Sequence, residues 1–238
     1  MDPLLSICIP SYNRLQLLQK LAERLITIAS NKIEFVICDD YSTEKEVQSY
    51  LKDLYIRDHR FKIYFNDNTI GITKNYYKSL QLASGEYVML VSNEDLLIAG
   101  FETLILPILD SKKFDIIISI LSYENQPTHS YYRRNPVDPT SDIITLKEQF
   151  SHFIFRSHIS GNIFKKDILD FSLLFDLHKQ CQHLFPVIPL TLMGLKNNKF
   201  LLLNQTLVIA KISPALYITS NKNEYLEQSH QLYLFKKF

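Results

Sequence analysis

The chain has 238 residues, with 26 Lys and Arg against 25 Asp and Glu, so its formal charge is +1. Hydrophobic residues make up 46% and charged residues 21%, which excludes a disordered chain and suits one large packed domain. So even a charge balance argues against nucleic acid as the main partner, because phosphate binding needs a cationic excess or a clear basic stripe.

Three cysteines, Cys8, Cys38 and Cys181, are odd in number and scattered. They imply thiols in a reducing compartment rather than a disulfide framework or a zinc ribbon. The opening Met1-Asp2-Pro3 lacks the basic region of a signal peptide. No apolar run approaches the ~20 residues of a membrane helix, so the expected location is the cytoplasm.

Residues 4–10, LLSICIP, read as a short strand buried on both faces and ended by Pro10. Leu15, Leu18, Leu21, Ala22, Leu25, Ile28 and Ala29 follow at helical spacing, which predicts a helix over 15–30. Residues 33–38, IEFVIC, are β-branched and aromatic and read as a second strand. Thr43-Glu44-Lys45-Glu46 has the form of a capping box and predicts a helix from there to about Tyr55. A third strand is expected at 61–65, a helix at 73–82, a strand at 87–91, a helix at 99–109 and a strand at 115–121.

This alternation of strand and helix predicts an α/β fold with a mostly parallel sheet covered by helices. Residues 122–142 break the pattern, are rich in Ser, Asn, Pro, Tyr and Arg, and read as a hairpin or a loop over the site. No repeat and no low-complexity tract occurs. One compact domain is expected, with residues 1–110 and 111–238 as its two halves.

Ligands of such sheets sit beyond the carboxyl ends of the strands. That rule selects four polar loops: 10–14, 39–43, 66–71 and 92–95. In Pro10-Ser11-Tyr12-Asn13-Arg14, Tyr12 suits stacking on a base and Arg14 suits a phosphate. The competing reading makes Ser11 or Asn13 the N-cap of the next helix. The paired carboxylates Asp39 and Asp40 suit a base edge or ribose hydroxyls, or else the N-terminus of the following helix. Ser92-Asn93-Glu94-Asp95 places two acids where oxygen ligands hold a divalent cation, or caps a helix.

The order of the pieces is more specific than any one. SICIPSYNR, FVICDDYSTE, the Asn68–Asn75 segment with Gly71, ASGEYV and VSNED follow one another within the first hundred residues. This series resembles the family 2 glycosyltransferases of the GT-A fold, and in particular bacterial capsule and lipopolysaccharide enzymes.

The resemblance implies an inverting transfer from a nucleoside-diphosphate sugar of UDP or dTDP type to a saccharide or lipid-linked acceptor. It places Tyr12 against the base, Asp40 at the base edge with Asp39 beside it, and Asn68, Gly71 and Asn75 along the nucleotide. Ser92-Asn93-Glu94-Asp95 falls on the family's Asp-x-Asp motif for Mn2+ or Mg2+, where Ser92 or Asn93 replaces the first acid and Glu94 stands at the metal-binding position. The segment from His158 to Lys165 is similar to the acceptor-side strand.

The family's general base is an acid in the neighbourhood of Gln180 to Pro186, where a helix is expected through about Leu195. No Glu-Asp pair occurs there, so His183 is the substitute base, with Asp176 as the alternative. Arg14 or the pair Arg133-Arg134 would face the leaving phosphates. Residues 224–238 read either as a membrane-surface helix or as a segment packed on the domain or on a second copy. The single basic pair Lys236-Lys237 favours packing.

Two other classes compete. A binder that keeps the nucleotide pocket without turnover is favoured by the altered motif. A nucleotidyltransferase would carry an early Gly-rich loop, and the first 14 residues hold no glycine.

Overall fold

The computed structural model describes residues 2–123, 159–180 and 199–211. The elements follow in the order β1 (Leu5–Ser11), α1 (Leu15–Ile26), β2 (Ile33–Asp39), α2 (Lys45–Arg57), β3 (Phe61–Phe65), α3 (Ile72–Leu82) and β4 (Tyr87–Leu90). After these come β5 (Leu96–Leu97), α4 (Phe101–Asp110), β6 (Ile116–Tyr123), β7 (Asn162–Lys165), a 3-10 turn (Lys166–Ile168), α5 (Phe171–Gln180) and β8 (Phe200–Ala210).

All eight strands join one sheet in the order β3-β2-β1-β4-β7-β6-β8-β5. β1 pairs in parallel with β2 and β4, β2 with β3, and β6 with β8. β7 runs against both β4 and β6, and β5 runs against β8. Six strands therefore share one direction, and only β5 and β7 oppose it. The expected mostly parallel sheet is present. Its winding reverses between β1 and β4, because β2 and β3 lie on one side of β1 and β4 on the other. A cleft opens beyond the carboxyl ends at such a switch point.

Strand alternation sends side chains into two cores, which is why the inner strands read as continuous apolar runs. Leu5, Ile7 and Ile9 of β1, Phe35 and Ile37 of β2, and Met89 of β4 pack beneath Leu21 and Leu25 of α1, Leu51 of α2 and Ile105 of α4. On the other face Cys8, Val36, Val88 and Leu90 meet Tyr77 and Leu80 of α3 and Leu174 of α5. The Tyr77 ring stands edge-on to Phe175 with centroids 5.8 Å apart. Cys8 and Cys38 are free and buried, while Cys181 lies outside the described residues.

Several boundaries differ from expectation for local reasons. α1 stops at Ile26, short of residue 30. The Arg60 guanidinium donates to the carbonyls of Ile26, Ile28 and Ser30, so it holds the last helical carbonyl and the turn that follows it. Asp58 holds Arg60 from the other side, and the guanidinium in turn holds the Asp58 carboxyl below the usual range.

The capping box at Thr43 does not form. α2 begins at Lys45 with Glu44 as its N-cap and no side-chain cap bond. The Thr43 and Glu44 amides donate instead to Asn13 Oδ1, at 3.0 and 3.3 Å. Neither Ser11 nor Asn13 caps α1, whose N-cap is Arg14 in the left-handed region. The short β5, the helix α5 and the long β8 were not expected. The helix expected from Gln180–Pro186 through about Leu195 lies outside the described residues beyond Gln180, as do most of the segment 122–142 and the C-terminal segment 224–238.

The amino ends of the strands are tied by one buried acid. Glu34 accepts from Ser6 Oγ (2.5 Å), from the Ser84 amide (2.7 Å) and from Ser84 Oγ (2.8 Å). The Gly85 amide donates to Ser6 Oγ at 2.8 Å. This clamp explains the ASGEYV string as architecture. A Cβ on Gly85 would stand 2.6 Å from Ser6 Oγ and 2.8 Å from the Ser6 backbone nitrogen. Gly85→Ala is expected to lower unfolding stability by about 2 kcal/mol, read from the urea midpoint at unchanged slope.

Candidate active site

Parallel register brings the carboxyl ends of β1 and β2 level, with Ser11 opposite Asp39. Beyond them the chain continues the ladder, since the Asp40 amide donates to the Ser11 carbonyl at 2.8 Å. Asp39 and Asp40 then divide in role. Asp39 is buried and accepts from both the amide and the hydroxyl of Ser42, which shapes the turn. Burial raises its carboxyl above the usual range, against the lowering effect of the two Ser42 bonds.

Asp40 reaches across to the next loop. Its Oδ1 accepts from the Ile70 amide (2.8 Å) and from Asn66 Nδ2 (2.9 Å), and its Oδ2 accepts from the Gly71 amide (3.0 Å). Thr69 Oγ1 donates to its carbonyl. Gly71 takes φ +89° as the N-cap of α3, a conformation that suits glycine.

Asn66 and Asn75 complete the buried network. Asn66 Nδ2 also donates to Asn75 Oδ1, and Lys78 Nζ donates to Asn66 Oδ1 at 2.6 Å. Asn75 Nδ2 donates to the carbonyl of Cys38 at 2.8 Å, and Asn68 is exposed in the loop above. Pro10 is buried at the end of β1. The Ser11 hydroxyl is buried beside this network and has no partner among the described residues, so it is a polar atom available to a ligand.

Tyr12 is exposed, and so is Tyr41. The two loops that carry them are sewn together by Asn13, whose amide donates to Ser42 Oγ at 2.6 Å. Asn13 and Arg14 both lie in the left-handed region, with φ of 55° and 61°. Each costs about 1–2 kcal/mol relative to ordinary helical geometry. The strained pair carries Arg14 across the switch point, where its guanidinium forms an ion pair with Glu94.

The loop after β4 is fixed from the far side of the sheet. Ser160, just before β7, accepts from the Ser92 amide (2.9 Å) and donates to Asp95 Oδ2 (2.6 Å). The Lys211 amide, at the end of β8, donates to Asp95 Oδ1 at 3.1 Å. Both oxygens of Asp95 are thus committed to structure, and Asn93 is buried next to them. Tyr76 of α3 lies within electrostatic reach of Arg14, Glu94 and Asp95, and burial pushes its phenol up to about 12, so it stays a neutral donor.

Most of the expected site residues therefore line one connected rim. Asp176 is not joined to it: its carboxylate is exposed on α5 and paired with Lys179. His183, Arg133 and Arg134 lie outside the described residues. Asn66, Tyr76, Lys78, Ser160 and Lys211 were not anticipated. Asn75 and Lys78 stand three apart on the inward side of α3, a polar interruption that could have marked them. Ser160 sits inside the quoted 158–165 string but carried no role there.

Among the described residues no three Asp, Glu, His or Cys side chains form a metal cluster. A hard divalent cation is also held by one or two carboxylates together with substrate phosphates. Glu94 fits that role: it is partly buried, and a cationic group, Arg14, already stands on it.

Comparison with known proteins agrees with this geometry. The sequence profile described as glycosyl transferase family 2 matches residues 6–172. The chain belongs to glycosyl transferase family 2. Over 99 residues this family member is 31% identical to a GalNAc(5)-diNAcBac-PP-undecaprenol beta-1,3-glucosyltransferase of Campylobacter jejuni, covering 41% of this chain and 32% of that protein. Over 111 residues it is 25% identical to abequosyltransferase RfbV of Salmonella typhimurium, covering 46% of this chain and 33% of that one. The matches span about a third of the length of each of these relatives.

Among solved structures, S. aureus TarS 1–349 in complex with UDP-GlcNAc superposes with a TM-score of 0.67 at 17% identity, over 97% of this chain and 66% of that one. A mannosyltransferase from Pyrobaculum calidifontis in complex with GDP-Man and Mn2+ superposes with a TM-score of 0.59 at 12% identity, over 98% and 62%. At such identities the likeness is one of fold, the GT-A arrangement.

In this family member the Asp40 clamp is the part of the rim whose removal is easiest to read. Asp40→Ala should lower stability by about 3 kcal/mol, because three donors lose a buried acceptor. Amide hydrogen exchange at Ile70 and Gly71 should accelerate at least about tenfold, while exchange in β1 changes only with global stability.

Proposed function

We propose that the protein is an inverting glycosyltransferase that moves a sugar from a UDP- or dTDP-type donor to a saccharide or lipid-linked acceptor in surface polysaccharide synthesis. The observation that carries this reading is the rim at the switch point: the Asp40 amide is bonded to Ser11 beside Tyr12, Asn13 ties that loop to Ser42, and Arg14 reaches Glu94. An aromatic ring, a buried acid with backbone donors, and a mobile-length cation over a carboxylate are the parts needed for base, ribose and diphosphate.

Tyr12 would stack on the base. Asp39 and Asp40, with Asn68, Gly71 and Asn75, would shape the nucleoside pocket, and the free Ser11 hydroxyl would bond within it. Arg14, with Arg133 or Arg134, would stabilise charge on the departing diphosphate. A divalent cation, Mn2+ or Mg2+, held by Glu94 would supply further neutralisation there. Residues 1–110 would bind the donor and residues 111–238 the acceptor.

In the transfer, a base on the acceptor side, His183, would take the proton of the acceptor hydroxyl; the alternative, Asp176, would first have to leave Lys179. The oxygen would form its bond to the anomeric carbon opposite the diphosphate, whose bond breaks with its electron pair. Holding two substrates in line would supply much of the acceleration. The setting that suits these substrates is the cytoplasmic face of the membrane, with the chain acting alone or as a homo-oligomer.

A second reading, nucleotide-sugar binding without turnover, is favoured by Ser92 at the first motif position and by the Lys179 pairing of Asp176. A donor-hydrolysis assay separates the two readings.

Calorimetry with UDP and dTDP, with and without Mn2+, tests the proposal. Binding of at least one is expected, with Tyr12→Ala weakening it about tenfold through lost stacking. Absence of binding by either nucleotide would remove the proposal.

A further inference from the structure

Arg14 and Glu94 are 80 residues apart in sequence and meet across the switch point. The guanidinium is about half exposed, with 53% of its side-chain surface accessible, whereas Glu94 keeps only 17%. The pair is therefore an exposed cation resting on a largely buried carboxylate. Among the described residues, no second carboxylate is bonded to Arg14. Asp95 has both oxygens engaged by Ser160 and Lys211, and Tyr76 is neutral. Asn13 and Arg14 are held in left-handed backbone geometry at this point, so the guanidinium springs from a strained turn rather than from regular helix.

We propose that Arg14 is shared between Glu94 and the donor diphosphate: phosphate oxygens draw the guanidinium off Glu94 and thereby release the carboxylate to a divalent cation. The inference rests on the nucleotide-diphosphate reading of the rim. Its chemistry is an exchange of ion pairs. One guanidinium fork serves a carboxylate or a phosphate with similar geometry, and the dianionic diphosphate is the stronger partner. A divalent cation then takes the place of the positive charge that had faced Glu94. Arg14 thus makes nucleotide and cation binding mutually reinforcing, a coupling that acts equally in both directions.

The sign of one effect is unusual and tests the idea. In EDTA, Glu94→Gln should bind UDP about threefold to fivefold more tightly than the parent, because Arg14 no longer has to leave a partner worth that much. Arg14→Gln should bind UDP about tenfold more weakly, as expected for loss of one charge-assisted phosphate contact. In the double variant the gain from Glu94→Gln should vanish, leaving an affinity equal to that of Arg14→Gln. With Mn2+ present, Glu94→Gln should lose the metal's enhancement of UDP binding. Mn2+ alone, followed by its electron paramagnetic resonance signal, should bind Arg14→Gln more tightly than the parent.

Should Arg14→Gln fail to fold, Arg14→Lys carries the same cycle, with a smaller loss. Equal effects of Glu94→Gln in the two Arg14 backgrounds, or weaker UDP binding by Glu94→Gln in EDTA, would overturn the exchange while leaving the proposed function standing. Failure of the parent to bind UDP or dTDP under any condition would overturn both.

Discussion

The Asp40 carboxylate is the constraint on which the rim depends. It sits just past the carboxyl end of the second strand and holds three donors from the loop that joins β3 to α3. Its own amide is bound to the first strand. Loops at the ends of parallel strands have no ladder of their own and would otherwise diverge. One buried acid replaces the missing ladder. Asn66, Asn75 and Lys78 then surround it, so the cluster stays satisfied in a place where an unpaired charge would be costly.

The same logic governs the opposite edge of the sheet. Glu34 gathers Ser6 and Ser84 there, and Gly85 must lack a side chain for the approach to be made. The two acids stand on β2 or just beyond it, one at each end of the strand, and both join β1 to the chain that crosses it. Between them lie the double-sided apolar rows that supply the burial. In β1 and β2 the polar residues thus stand near the strand ends, where register and loop position are decided, and the middle of each of these two strands is left to packing.

Much of this was legible in the sequence. The periodicity of α1, α2, α3 and α4 and the apolar runs of β1 to β4 fall within a few residues of their observed limits, because each has a clear period or a compact β-branched run. The four polar loops were identified from the strand ends alone. What escaped notice depended on contacts between distant segments. Arg60, from beyond the second strand, holds the turn that follows α1, and Asn13 takes the Thr43 amide that the box would have used. Neither effect has a local signature. β5, with two residues, has no period at all, and β8 was hidden by an apolar stretch that suits a helix as well as a strand. The division of labour between Asp39 and Asp40, and between Glu94 and Asp95, also needed coordinates, since adjacent acids look alike until their donors are known.

The Ser160 hydroxyl has a consequence for how the molecule can vary. It joins the amide of Ser92 to the carboxylate of Asp95, and the same carboxylate receives the backbone of Lys211. Three crossings of the polypeptide are therefore pinned at one spot on the cleft's margin. Side chains elsewhere on that margin can be exchanged while this junction keeps the sheet and the loop after β4 in register, so recognition can diversify without loss of the scaffold that presents it.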